Sequence, residues 1–176
     1  MMEILNKIFF RSNNVKDINA EFLELKNKTG VEQIFNAIEN YSEKSEIRYV
    51  GGCVRKILKK QKVNDIDLAT NLIPEEVIEV FKKNNIKYYE TGLKHGTITA
   101  LINNYKFEIT SLRKDVKTDG RHADVVFTND WKEDASRRDF SINSIYSDLR
   151  GNLFDPFNGK KDLEDGIVDF IGDTEK

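Results

Sequence analysis

The chain has 176 residues, 39% of them hydrophobic and 33% charged, with only 2 prolines, which suits one compact domain with a real core and speaks against a long disordered segment. With 28 basic and 30 acidic residues the net charge is −2, so charge alone excludes general polyanion binding and any nucleic-acid surface must be local. No apolar run approaches ~20 residues, so no membrane span is expected; "MMEILNKIFF" is a poor signal peptide, and the lone Cys53 cannot form an internal disulfide, which suits a reducing cytoplasm.

"MMEILNKIFF" reads as a short helix, and "NAEFLELKNKTG" is ambiguous. "VEQIFNAIENY" places Val31, Ile34, Phe35 and Ile38 at helical spacing behind Gly30. "EIRYV" is a short strand running into Gly51-Gly52. "GCVRKILKK" follows as a helix with Val54, Ile57 and Leu58 inward. In "NDIDLAT" alternation predicts a strand, with Ile66 and Leu68 on one side and Asp65 and Asp67 on the other. Pro74 and Glu75-Glu76 mark the start of a helix whose buried face is Val77, Ile78, Val80 and Phe81. "IKYYE" is a strand, and "TITALINNYKFEITSL" a hairpin turning at Asn103-Asn104. "RKDVKTDGRHADVVFTND" reads as a polar, mobile loop. "WKEDASRRDFSINSIYSD" reads as helical, in one or two pieces. Turn signals cluster around Gly151, Pro156 and Gly159, and "IVDFIGDTEK" ends in a last strand and a polar tail. Mixed helices and strands with a hairpin predict an α/β sheet with antiparallel or mixed pairing, not a doubly wound parallel one.

Asp65 and Asp67 lie one residue apart in a strand whose other face is apolar, so their backbones are about 6–7 Å apart on one side. Like charges that close resist joint ionisation unless a cation intervenes. Magnesium takes carboxylate oxygens while keeping waters and substrate phosphates. In "YKFEITSL", Glu108 falls on the polar face of another strand. If the two strands neighbour each other, three carboxylates converge, enough for two metals about 3.5–4 Å apart. Spacing alone leaves Glu108 open between that role and a solvated strand residue paired with Lys106.

Gly51-Gly52 at a strand-to-helix junction lets a ligand approach the backbone, and the helix start offers N–H groups to phosphate. Arg55 on the first turn adds a bidentate phosphate contact. Glycine pair, arginine and Asp-x-Asp between residues 51 and 67 together favour a nucleoside triphosphate site over a plain tight turn.

"GGCVRKILKKQKVNDIDLAT", "TGLKHGTITALINNYKFEITSLRKDV", "DGRH" and "RRDFSINSIY" resemble the head region of bacterial tRNA nucleotidyltransferases, the CCA-adding enzymes. These are class II nucleotidyltransferases, a superfamily that also holds bacterial poly(A) polymerase. The similarity runs from about Ile34 to the C-terminus. It implies a polymerase-β-like palm: a mixed, mostly antiparallel sheet of about five strands flanked by helices, over 31–176, with 1–30 as an N-terminal extension. It implies that Gly51, Gly52 and Arg55 hold the triphosphate, that Asp65 and Asp67 bind two Mg2+ ions, and that Glu108 is the accompanying acid. Arg113 resembles the arginine at the edge of the nucleotide site. Arg137, Arg138, Asp139 and Asn143 resemble the motif that contacts ribose and phosphates, with Asp139 accepting from a sugar hydroxyl. Lys114 to Ala123 matches the flexible loop used in switching from CTP to ATP. The implied reaction is in-line attack of the tRNA 3′-hydroxyl on the α-phosphorus, releasing pyrophosphate.

Lys56 stands where the family usually has aspartate, and Asp169 where arginine is common. The expectation is that the helical neck with its base-reading Glu-Asp-x-x-Arg motif, and the body and tail that grip tRNA, are not part of this chain. The expectation is a catalytic head that needs a separate neck, body and tail subunit. A poly(A) polymerase head and a non-catalytic nucleotide- or RNA-binding module stay as alternatives. His95 and His122 read as structural or substrate-proximal, Trp131 as core, Cys53 as a buried small residue, and Arg137-Arg138-Asp139 alternatively as a surface ion-pair cluster.

Overall fold

The computed structural model describes residues 18–115 and 125–172. The elements are a helix over 18–29 (α1), α2 (Glu32–Glu39), β1 (Ile47–Val50), α3 (Gly52–Leu58), β2 (Ile66–Thr70), α4 (Pro74–Lys83), β3 (Lys87–Gly92), β4 (Thr97–Ile102) and β5 (Tyr105–Ser111). After these come β6 (Arg113–Asp115), β7 (Val125–Phe127), α5 (Trp131–Ser136), a 3-10 turn (Ser141–Asn143), β8 (Tyr146–Ser147), β9 (Leu153–Phe154) and α6 (Gly159–Asp165). The helix expected in "MMEILNKIFF", His122, the polar tail after 172 and all but the first two residues of the loop Lys114 to Ala123 lie outside the described residues.

The main sheet has seven strands in the order β3-β4-β5-β2-β1-β8-β9. Its described pairs are antiparallel except β2–β5. The expected mixed, mostly antiparallel sheet is therefore found, two strands wider than expected. Asn103 and Asn104 turn the β4–β5 hairpin with φ of 50° and 65°, the pair of left-handed residues that matches strand twist. Pro74 opens α4, where the Ile73 N–H donates to the Glu76 carboxylate at 3.0 Å.

The two faces of the sheet bury different things. Ile47, Tyr49, Ile66, Leu68, Phe107 and Ile109 face the large core with α1 to α4. Val50 and Ala69, one residue out of phase, face a smaller cluster with Leu112, Trp131, Ala135 and Tyr146. Trp131 is core, meeting Tyr146 edge-on with ring centroids 5.4 Å apart. Cys53 is buried, and desolvation pushes its thiol up to about 12. Helix α1 contributes Phe22, fully buried with its ring 5.2 Å from Tyr49. Phe22→Ala should cost about 3–5 kcal/mol in urea unfolding; a cost below about 1 kcal/mol would place α1 outside the cooperative unit.

Four expectations are corrected in the second half. The ends of the polar loop pair as a ribbon, Arg113 opposite Phe127 and Asp115 opposite Val125. The helical reading of "WKEDASRRDFSINSIYSD" holds only to Ser136 and for the 3-10 turn. Tyr146 and Ser147 are instead drawn into the sheet by the open edge of β1, Val50 opposite Tyr146. Around Gly159, where only turns were expected, α6 forms, its first N–H groups taken by Asp155 at 2.8 and 2.9 Å. Among the described residues the last strand is not formed. Gly166 ends α6 in a left-handed turn, and Phe170 makes a single bridge to Phe140, ring against ring at 4.7 Å, with Ile167 and Val168 half exposed.

Candidate active site

Asp67 and Glu108 stand directly opposite each other on the parallel strands β2 and β5. Asp65 lies just before β2 begins, so the pair is split between strand and approach. Asp67 is half-buried, while Asp65 and Glu108 are exposed. Burial first, then the charges of Glu108 and Asp65, push the Asp67 carboxyl above its ordinary range, against smaller opposing pulls from Arg138 and Lys56. Lys56, the departure from the family pattern, thus places its charge within reach of the acidic group. Among the described residues no three His, Cys, Asp or Glu side chains are close enough together to hold a metal ion. The donor chemistry nevertheless fits a hard divalent cation: oxygen donors from two strands, one of them disfavoured as an anion by burial and by its acidic neighbours.

Beside Asp67 opens a cleft of about 470 Å³. Its lining includes Gly51, Gly52, Arg55, Arg113, Arg137, Arg138, Asp139 and Asn143, and also His95, Thr97 and Thr110; Asp65 and Glu108 do not line it. Gly51 has φ 68° and ψ −128°, a conformation open to glycine alone. A Cβ on Gly52 would meet nothing within 4 Å, so the backbone there faces open space. Arg55 donates to the Asn143 side-chain oxygen, and the Asn143 amide donates to Asp139 at 3.1 Å. Arg113 donates to the His95 carbonyl at 2.7 Å. His95 thus enters the cleft wall through its backbone as well.

Sequence reading missed the residue behind the arginines. Asp134, 1% exposed, accepts from Arg137 Nε at 3.0 Å, Arg138 Nη2 at 3.2 Å, the Arg113 backbone N–H at 3.1 Å and the Tyr146 hydroxyl at 2.7 Å. Burial alone would raise its pKa, but Arg138 and Arg137, with the Tyr146 and Arg113 hydrogen bonds, hold it below the usual carboxylate range. The available signal was the i, i+3, i+4 spacing of Asp134, Arg137 and Arg138. Arg137-Arg138-Asp139 is therefore no plain surface cluster.

The family profile described as "Poly A polymerase head domain" matches residues 47–169. The chain belongs to that family. The head domain is 50% identical over 131 residues to human "CCA tRNA nucleotidyltransferase 1, mitochondrial", covering 74% of this chain and 30% of the relative. It is 42% identical over 133 residues to the "CCA-adding enzyme" of Lactobacillus helveticus, covering 74% and 32%. Among solved structures, the Bacillus stearothermophilus CCA-adding enzyme in complex with CTP superposes with TM-score 0.68 at 31% identity, covering 79% of this chain and 32% of that one. A tRNA nucleotidyltransferase complexed with a primer tRNA and an incoming ATP analog superposes with TM-score 0.63 at 25% identity, covering 79% and 39%. The chain thus spans about a third of the length of the curated relatives it matches. No described helix is long and apolar enough to cross a membrane.

Proposed function

We propose that this head domain is the catalytic part of a template-independent tRNA nucleotidyltransferase, transferring CMP and AMP from CTP and ATP to the 3′ end of tRNA. The observation that carries the reading is Asp67 facing Glu108 beside a glycine-floored cleft lined by Arg55, Arg113, Arg137 and Arg138. In it the triphosphate lies across Gly51 and Gly52, and the guanidinium groups bind its oxygens. Asp139, exposed at the rim, accepts from a sugar hydroxyl, while Asn143 ties it to Arg55. The 3′-hydroxyl oxygen bonds to the α-phosphorus and gives its proton to solvent, as the bond from that phosphorus to the oxygen bridging to the β-phosphate breaks and pyrophosphate leaves. Asp65 and Asp67 would hold two Mg2+ ions, with Glu108 alongside, and these would neutralise charge at the reacting phosphate. RNA binding and base choice belong to a separate helical neck, body and tail, and the reading places the work in a reducing cytoplasm, which suits the buried thiol of Cys53. The domain unit is 31–176, with 1–30 as an extension whose helix α1 packs onto it through Phe22.

The test supplies that helical part in trans and follows CTP and ATP incorporation into tRNA lacking its 3′ end. Three nucleotides added, then a stop, is the expected result; no incorporation with folded partners would count against it. The family's description favours one second reading, a poly(A) polymerase head. Continued addition of adenosine in the same assay would establish that instead.

A further inference from the structure

We propose that Asp134 is the positioning residue of the triphosphate cleft, a buried carboxylate that sets where Arg137, Arg138 and the start of β6 stand. The inference rests on reading the cleft as a nucleoside triphosphate site. Four guanidinium groups line this cleft, and unopposed they would repel one another. Asp134 does not line it; it stands behind the arginines on α5 with both oxygens engaged, Oδ1 by Arg137 and the Arg113 N–H, Oδ2 by Arg138 and Tyr146. Tyr146 closes the arrangement, donating to Asp134 while accepting from Arg138 Nε at 3.1 Å. With Nε and Nη2 of Arg138 so engaged, its Nη1 lies 3.8 Å from where a Cβ on Gly51 would stand, beside the cleft floor. Among the described residues Arg137 bonds through Nε to Asp134, and it also lines the cleft.

The hub also joins two chain segments. Arg113 opens β6, and its backbone N–H ends on Asp134, while neighbouring Glu133 accepts from Thr128 after β7 and pairs with Lys114 at 3.8 Å. The first turns of α5 therefore hold both strands of the β6–β7 ribbon against the arginines. An exposed ion pair contributes little, but this one is buried and fully hydrogen-bonded, so removing one charge leaves the arginines without their anchor.

The experiment measures equilibrium binding of CTP and of inorganic tripolyphosphate to the full chain, with circular dichroism as the fold control. Asp134→Asn should weaken both ligands by a similar factor, about tenfold or more, because charge-assisted bonds to two arginines are lost. In an Arg137→Ala/Arg138→Ala background the same change should cost little further, which a purely structural carboxylate would not produce. Undiminished affinity in Asp134→Asn, or an equal loss in both backgrounds, overturns the inference. If Asp134→Asn does not fold, Tyr146→Phe takes its place: it keeps the charge, removes the donor to Asp134 and the acceptor for Arg138 Nε, and should weaken both ligands a few-fold. Unchanged affinity there overturns the inference too. If the wild type binds neither ligand, the nucleotide-site reading itself fails and takes the inference with it.

Discussion

Asp67→Asn lowers nucleotide incorporation at least about a thousandfold in the reconstituted assay, while raising the melting temperature of the metal-free head by about 2–4 °C. The two effects share a cause. Asp67 is half-buried, faces Glu108 across the parallel ladder, and has Asp65 two residues before it. Its folded pKa is raised above the ordinary value of 3.8 by burial and by these acids. A group with a raised folded pKa favours folding while protonated, and that contribution is lost as pH rises through the folded pKa. At neutral pH the ionised side chain therefore opposes folding, and the amide does not. The stability gain should shrink as pH falls through the carboxylate range and vanish below it, where both proteins are uncharged at this position. Added Mg2+ should stabilise the wild type more than the variant. A non-catalytic binding module would give a different pattern, with RNA binding and Mg2+ response the same in both proteins. Equal melting temperatures across pH would remove the electrostatic account of the site.

Gly159→Ala destabilises the domain by about 3 kcal/mol, the upper range for overpacking, or about 6–12 °C for a chain of this size. An added Cβ would lie 2.1 Å from the Ser141 carbonyl oxygen and 3.0 Å from the Ile142 nitrogen, both backbone atoms that cannot rotate away. The α6 helix is pinned in place there. Asp155 caps its start, and the Ser141 hydroxyl donates to Asp162. The segment it presses on is the 3-10 turn that carries Asn143, the partner of Arg55 and Asp139. The variant should therefore also weaken CTP binding, since relief of the clash displaces that turn. Differential scanning calorimetry with a parallel binding titration checks both parts. A loss of less than about 1 kcal/mol would mean that α6 can shift without cost.

Local chemistry made much of the first half legible. Pro74 with its acidic first turn, the Asn103-Asn104 reversal and the alternation around Asp67 and Glu108 each depend on dihedral preferences and side-chain period within a few residues. The second half resisted because its elements are short and decided by their surroundings. Tyr146 and Ser147 are a strand only because β1 offers an edge. The apolar run at Ile167, Val168 and Phe170 has the composition of a strand, yet among the described residues it forms a single bridge, at Phe170.

The candidate site divides along the same line. Residue types and spacing were enough to nominate the glycine pair, Arg55 and the aspartates, and to say which side of its strand Asp67 and Glu108 each take, while the Arg-Arg-Asp run is nominated by the family resemblance alone. Chain order could not say that β2 and β5 lie side by side in parallel, with Asp67 and Glu108 in register, since α4, β3 and β4 intervene between them. Nor could it say that Asp134 is buried beneath two arginines. Periodicity acts over neighbouring residues and is written in the chain; contact between distant residues, and the desolvation that gives it electrostatic weight, exists only once the sheet has closed.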